Sequence, residues 1–164
     1  MKIEFDKLNQ DARIWIYQNH EAIAEDKVGQ IKQEIGEFVS SWSAHQRPLA
    51  AFGDVFHNRF VVLIVDETYN QASGCSIDAS VTFVRSLEKR FDLQLFDRFT
   101  FSYEKDGQIH TVPKSEFAAL YQAGEIDYNT LVFDNLIRTK ADLLVSWQKP
   151  LGHSWLKRFV QSRG

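Results

Sequence analysis

The sequence predicts an α+β fold. A ferredoxin-like antiparallel sheet in the order βαββαβ fills residues 1–98, and a C-terminal β-hairpin and helix extension over 99–164 packs on it as a second unit or as part of one compact domain. Three observations carry this reading. Arg13-Ile14-Trp15-Ile16-Tyr17-Gln18 is β-branched and aromatic on alternate positions, the signature of a strand. Val28, Ile31, Ile35, Phe38, Val39 and Trp42, and later Ile77, Val81, Val84, Leu87 and Phe91, recur at three- and four-residue steps, which marks two amphipathic helices. Between them Phe60-Val61-Val62-Leu63-Ile64-Val65 is apolar at every position, as a strand buried on both faces must be.

In chain order, Ile3, Phe5 and Leu8 alternate weakly and fit either an edge strand or a packed arm. The strand at 13–18 puts Ile14 and Ile16 on one face and Trp15 and Tyr17 on the other; the two aromatics are expected to receive residues 99–160. Asn19 is the candidate cap of the first helix, which should end near Ser43, where His45, Gln46 and Pro48 break the pattern. Gly29 and Gly36 each cost roughly 1 kcal/mol against alanine in a helix, which suggests a close backbone approach on their shared face. Residues 49–56 form the second strand, with Gly53 a candidate bulge, and His57-Asn58 turns the chain into the third. After a polar loop and the second helix, residues 93–97 begin the fourth strand. Lys105-Asp106-Gly107 joins a hairpin. Pro113 and Ser115 open a short helix that Gly124 ends. Residues 130–133 form another strand. Thr139 caps a helix running through Trp147, interrupted by Pro150 and Gly152 before Trp155, Leu156 and Phe159.

The 164 residues include 44% hydrophobic and 13% aromatic side chains, enough apolar bulk for a core without a metal or disulfide. The single cysteine excludes an internal disulfide and suits a reducing compartment. No apolar run reaches signal-peptide or membrane-span length, so the chain reads as cytoplasmic, with no membrane partner. Net charge is −3, and the nearest thing to a basic stripe is Lys157-Arg158 with Arg163. Ile14 to Asn19 is faintly similar to the first strand motif of an RNA-recognition module, but the aliphatic third strand lacks that module's basic and aromatic partner motif. No nucleic-acid partner is predicted.

Cys75 is the most chemically suggestive residue. It falls just before, or in, the first turn of the second helix, where free amides and the helix dipole favour a thiolate. Ser73, Gly74 and Ser76 allow backbone N–H groups to converge on an anion. His45 or His57 is a candidate base if the fold brings one near. The plainer alternative makes Ser76 the helix cap, Asp78 a complement to the dipole and Cys75 a small buried residue. Asp66-Glu67 reads as a strand end meeting solvent; with Asp78 it is a candidate divalent-ion set. The five histidines show no metal-pair spacing, so neither structural zinc nor any cofactor is predicted.

Trp42-Ser43-Ala44-His45, Asn58-Arg59-Phe60, Val65-Asp66-Glu67-Thr68, Ser73-Gly74-Cys75-Ser76-Ile77-Asp78 and Asn135-Leu136 carry a resemblance. Over nearly its whole length the chain resembles a family of small bacterial proteins often labelled "ABC transporter ATPase", a family without an established biochemical role. The label implies that Asp66 would hold the Mg²⁺ shell and Glu67 would polarise water. That chemistry also needs a Gly-x-x-x-x-Gly-Lys-Ser/Thr loop, and none of the eight glycines is followed by lysine, so ATPase activity is not expected. Residues 101–151, through Tyr103, Gly107, Glu116, Gly124-Glu125-Ile126 and Trp147 with Pro150-Leu151, are similar to a GYF-like module. Such modules bind peptides through aromatic surfaces. The function these readings favour is a non-enzymatic protein- or peptide-binding scaffold using an aromatic surface that includes Trp147 and Trp155. The alternative is a thiol-dependent enzyme or redox-sensing protein built on Cys75.

Overall fold

In the computed structural model, which describes residues 1–161, the first sheet is antiparallel and built from β1 (Arg13–Gln18), β4 (Ala50–Phe56) and β5 (Phe60–Asp66), in the order β1-β5-β4. Arg163 lies outside the described residues. Period two divides β5 between two cores. Val61, Leu63 and Val65 point at α1 (Glu25–Ser41) and α2 (Gly74–Phe91), where they meet Ile31, Ile35, Val39, Val84 and Leu87. Phe60, Val62 and Ile64 point the other way, onto Leu8, Phe133, Ile137 and Trp147. Every residue of β5 is therefore buried, as its unbroken apolar run requires.

A second antiparallel sheet follows. It comprises β6 (Thr100–Lys105), β7 (Gln108–Pro113), β8 (Leu131–Phe133) and β9 (Gln148–Pro150), in the order β7-β6-β8-β9. With α3 (Lys114–Gln122) it builds its own cluster around Phe101, Phe117, Val132, Leu151 and Leu156. Asp106 and Gly107 both take positive φ, as a two-residue hairpin turn demands. Thr139 caps α4 (Lys140–Val145) by accepting from Asp142 N–H. The molecule is thus mixed helix and strand with antiparallel sheets.

A buried polar network joins the two sheets. Gln18 Nε2 donates to Thr100 O at 2.7 Å, and Gln18 Oε1 accepts from Ser102 Oγ at 2.7 Å and Asn135 Nδ2 at 2.8 Å. Arg59 donates to His20 O, Thr111 Oγ1 and Ile109 O. Burial lowers the Arg59 pKa and the Glu21 charge works against that. Residues 99–161 are bound to the core both by this network and by the Phe133, Ile137 and Trp147 contacts.

Several expectations change. Residues 93–97 form no strand. Three of their amides are committed elsewhere: Leu93 N–H to Glu88 O, Gln94 N–H to Asn19 Oδ1 and Leu95 N–H to Glu88 Oε2. Asn19 is consequently no helix cap; α1 begins six residues later, after Ala24. The polar run after α1 folds as a miniature hairpin, β2 (Ser43–Ala44) and β3 (Arg47–Pro48), with His45 and Gln46 at positive φ in its turn. Trp15 and Tyr17 lie on the helix side, against Trp42 and Phe96. The C-terminal unit packs on the Ile14 and Ile16 face instead. Gly53 makes no bulge, because its register with Leu63 is unbroken. It is the site of close approach: a Cβ there would stand 2.4 Å from Ile35 Cγ2, whereas Gly29 has nothing within 4 Å. Trp147 ends no helix, since α4 stops at Val145 and the chain turns into β9.

Candidate functional site

The residues of the predicted thiol site lie on three separate elements. Cys75 opens α2 and is exposed rather than buried. His57 sits across the sheet in the β4–β5 turn, its ring 5.6 Å from Trp147 and 5.9 Å from Phe133. His45 occupies the β2–β3 turn, where a left-handed backbone suits a polar residue. Ser73, not Ser76, is the N-cap, and the two close a reciprocal box. Ser76 N–H donates to Ser73 Oγ (3.1 Å) and Ser73 N–H donates to Ser76 Oγ (2.7 Å). The amides of Ser73 and Ser76 are thereby taken, leaving only Gly74 from the predicted anion cradle. Glu67 Oε2, accepting from Ala72 N–H at 3.0 Å, places a negative charge beside it.

Asp66 does not meet solvent either; it is 2% exposed. Burial works to raise its pKa. Hydrogen bonds from Thr68 Oγ1, Asn9 N–H and Thr68 N–H, with the Lys140 charge, outweigh that and hold it below the ordinary carboxylate value. Asp66 therefore ties the N-terminal arm to the β5–α2 loop. Among the described residues no group of three or more His, Cys, Asp or Glu side chains is placed to hold a metal, and no helix is long and apolar enough to cross a membrane.

A concavity lies elsewhere, along the outer edge of β1. It measures about 1030 Å³, the upper end of the range for ligand pockets. Trp15, Tyr17 and Phe96 line its helix side, and Phe133, Leu136 and Trp155 line the side supplied by the C-terminal unit. Trp155 is 37% exposed and is steadied by its Nε1–H bond to Asp134 Oδ1 at 3.1 Å. Trp147 is 7% exposed and donates to Asn135 Oδ1, so it supports the groove from beneath and presents no surface.

The backbone of β1 makes this groove more than a gap. Asn19 N–H donates to Arg59 O, in line with β5, while Ile14 N–H donates outward to Arg138 O. Alternation then turns the polar groups of Ile14, Ile16 and Gln18 away from β5. Beyond the Ile14 N–H bond, the Ile14 C=O, both groups of Ile16 and the Gln18 N–H open on the groove. Sequence reading missed this edge because it made residues 93–97 the start of a fourth strand; the missing signal was the competition of Asn19 and Glu88 for the amides of residues 93–95. In comparisons with known proteins, no family model, curated protein or solved structure matches the chain.

Proposed function

We propose that this chain is a non-enzymatic protein- or peptide-binding module whose ligand enters the groove beside β1. One observation carries the reading: a strand edge whose outward backbone groups find no partner among the described residues lies inside a large concavity walled by aromatic side chains. Such edges are templates for pairing with another chain unless they are covered. The strand order β1-β5-β4 with two helices on one face supports a ferredoxin-like core in which residues 93–97 have left the fourth place beside β1. The similarity of residues 101–151 to GYF-like modules agrees with a peptide ligand. Nothing in the placement of Cys75 favours the thiol reading over this one.

Random-peptide display against the intact chain, followed by amide NMR of the selected peptides, tests the proposal. Shifts confined to residues 13–18 and 133–138, with weaker binding on Trp155→Ala, are expected. A selection that yields no binder, or binders that move only other regions, would overturn it.

A further inference from the structure

We infer that residues 136–138 are a strap able to pair with β1 in place of the ligand, and that Asp142 and Asp134 are the latches that hold it off; this rests on the peptide-binding reading above. The register is already set on one side. Arg13 and Thr139 form an antiparallel bridge, in which Ile14 N–H donates to Arg138 O and Lys140 N–H donates to Ala12 O. Continued along the strand, that register sets Arg138 opposite Ile14 and Leu136 opposite Ile16, both as hydrogen-bonded pairs. Arg138 N–H would then meet Ile14 C=O, and Leu136 would exchange both of its backbone groups with Ile16. These are three of the four groups that open on the groove. The segment beside the open edge therefore carries the two donors and the acceptor that the edge lacks.

Two carboxylates keep these groups from meeting. Asp142 Oδ2 accepts from Arg138 N–H at 3.2 Å and Asp134 Oδ1 accepts from Leu136 N–H at 3.0 Å, so both strap amides are held away from β1. The ends of the strap are fixed. Asn135 accepts from Trp147 Nε1–H and donates to Gln18 Oε1, and Thr139 caps α4, which leaves the three residues between them to turn. The side chains suit either state. Leu136 is 65% exposed, while Ile137 is 9% exposed in the cluster that holds Ile14 and Phe60. Opposed residues share a face, so closing carries Leu136 onto the Ile16 face and Ile137 across to the Trp15 side of the groove. One apolar side chain replaces the other. Closing forms three backbone bonds for the two released, and the latches tip the balance towards open because bonds to an ionised acceptor are roughly twice as strong. Each aspartate is thus a positioning residue: it keeps vacant an edge that the chain's own strap would otherwise occupy.

Asp134 also accepts from Trp155 Nε1–H and Lys149 Nζ, so Asp142 is the cleaner target. Asp142→Ala removes one latch, whereas Asp142→Asn keeps an oxygen that accepts from Arg138 N–H. Amide hydrogen exchange is followed by NMR on the intact chain without ligand, and binding of the capped pentapeptide Thr-Val-Ile-Val-Thr by calorimetry. In Asp142→Ala, exchange at Ile16 N–H should slow by about tenfold or more, the worth of one hydrogen bond to a charged group, and the probe should bind about tenfold more weakly. Asp142→Asn should match the parent in both. The amides of Trp15 and Tyr17 pair with β5, report on the sheet itself and should not change. Unaltered exchange at Ile16 in Asp142→Ala, or slow exchange there already in the parent, would overturn the strap. Equal effects of the two substitutions would trace to lost charge at α4 and overturn the latch. Altered exchange at Trp15 and Tyr17 together with Ile16 would mark a disturbed sheet and overturn both. A probe that binds none of the three proteins, with exchange as expected, would instead remove the peptide-binding reading and leave the strap standing.

Discussion

Replacing Gly53 by alanine tests how tightly α1 is seated on the sheet. The added Cβ would stand 2.4 Å from Ile35 Cγ2, 3.0 Å from Leu63 Cδ2 and 3.2 Å from Val39 Cγ1. Carbon atoms rest about 3.5–4.0 Å apart, so the first contact alone calls for a displacement of about 1 Å. Ile35, Leu63 and Val39 are fully buried, so no solvent-filled space can take them in. Overpacking of this kind costs about 1–3 kcal/mol. The lower entropy of an unfolded alanine offsets about 0.4–1 kcal/mol, which leaves a loss of about 1–2 kcal/mol. At a urea dependence of about 2 kcal/mol per molar, the unfolding midpoint should fall by about 0.5–1 M. Gly29→Ala is the control. It lies in α1, in open space, and should gain up to about 1 kcal/mol. In an Ile35→Ala background the cost of the Gly53 substitution should shrink measurably, as expected for side chains in direct contact. An unchanged or raised midpoint for Gly53→Ala would refute the packing argument.

Three other outcomes follow from the same geometry. Gln18→Leu strips Ser102 Oγ and Asn135 Nδ2 of their shared acceptor and Thr100 O of a donor. It should cost about 2–3 kcal/mol and speed proteolysis between residues 98 and 100; an unshifted urea midpoint with unchanged cleavage would count against the network. Asp66, with its folded pKa below the ordinary value, contributes stability that is present above about pH 4 and is lost as pH falls through the folded pKa. Asp66→Asn should accordingly be less stable at neutral pH and show a flatter acid limb in urea midpoints measured from about pH 2 to 7; parallel curves would refute the assignment. Cys75, exposed at the start of α2, should alkylate in the native state without unfolding, and Cys75→Ser should stay within about 0.5 kcal/mol of the parent.

The elements most legible in the sequence were those with strong periodicity. The unbroken apolar run of β5, the alternation of β1 and the stripes of both long helices are local signals of burial, and burial is what the fold delivers. The errors arose where two partners competed for one group. Residues 93–97 have strand-like composition, but Glu88 holds the amides of Leu93 and Leu95, and Asn19 holds that of Gln94 from a distance that no local pattern reveals. Asn19 looked like a cap because caps are recognised by residue type, while its actual partner lies 75 positions away. Glycine was misread in the same way. The two helical glycines drew attention by breaking propensity, yet the one that matters is set by what packs across the sheet. For the candidate site, Tyr17 and Trp155 were visible as aromatics, but the open backbone edge between them follows from a missing strand, and absence leaves no mark on composition.

The doubly sealed β5 has a consequence for how the chain is made. Its neighbours β1 and β4 both precede it in the chain, so the first sheet can assemble soon after Asp66 leaves the ribosome. The residues that cover Phe60, Val62 and Ile64 on the second face, Phe133 and Trp147 among them, emerge about seventy residues later, several seconds at translation speeds of about 5–20 residues per second. During that interval only the N-terminal arm around Leu8 is available to cover that oily face, and a polypeptide released near residue 98 would keep the rest of it bare for good. Synthesis of the second half is thus what makes the first half safe to release.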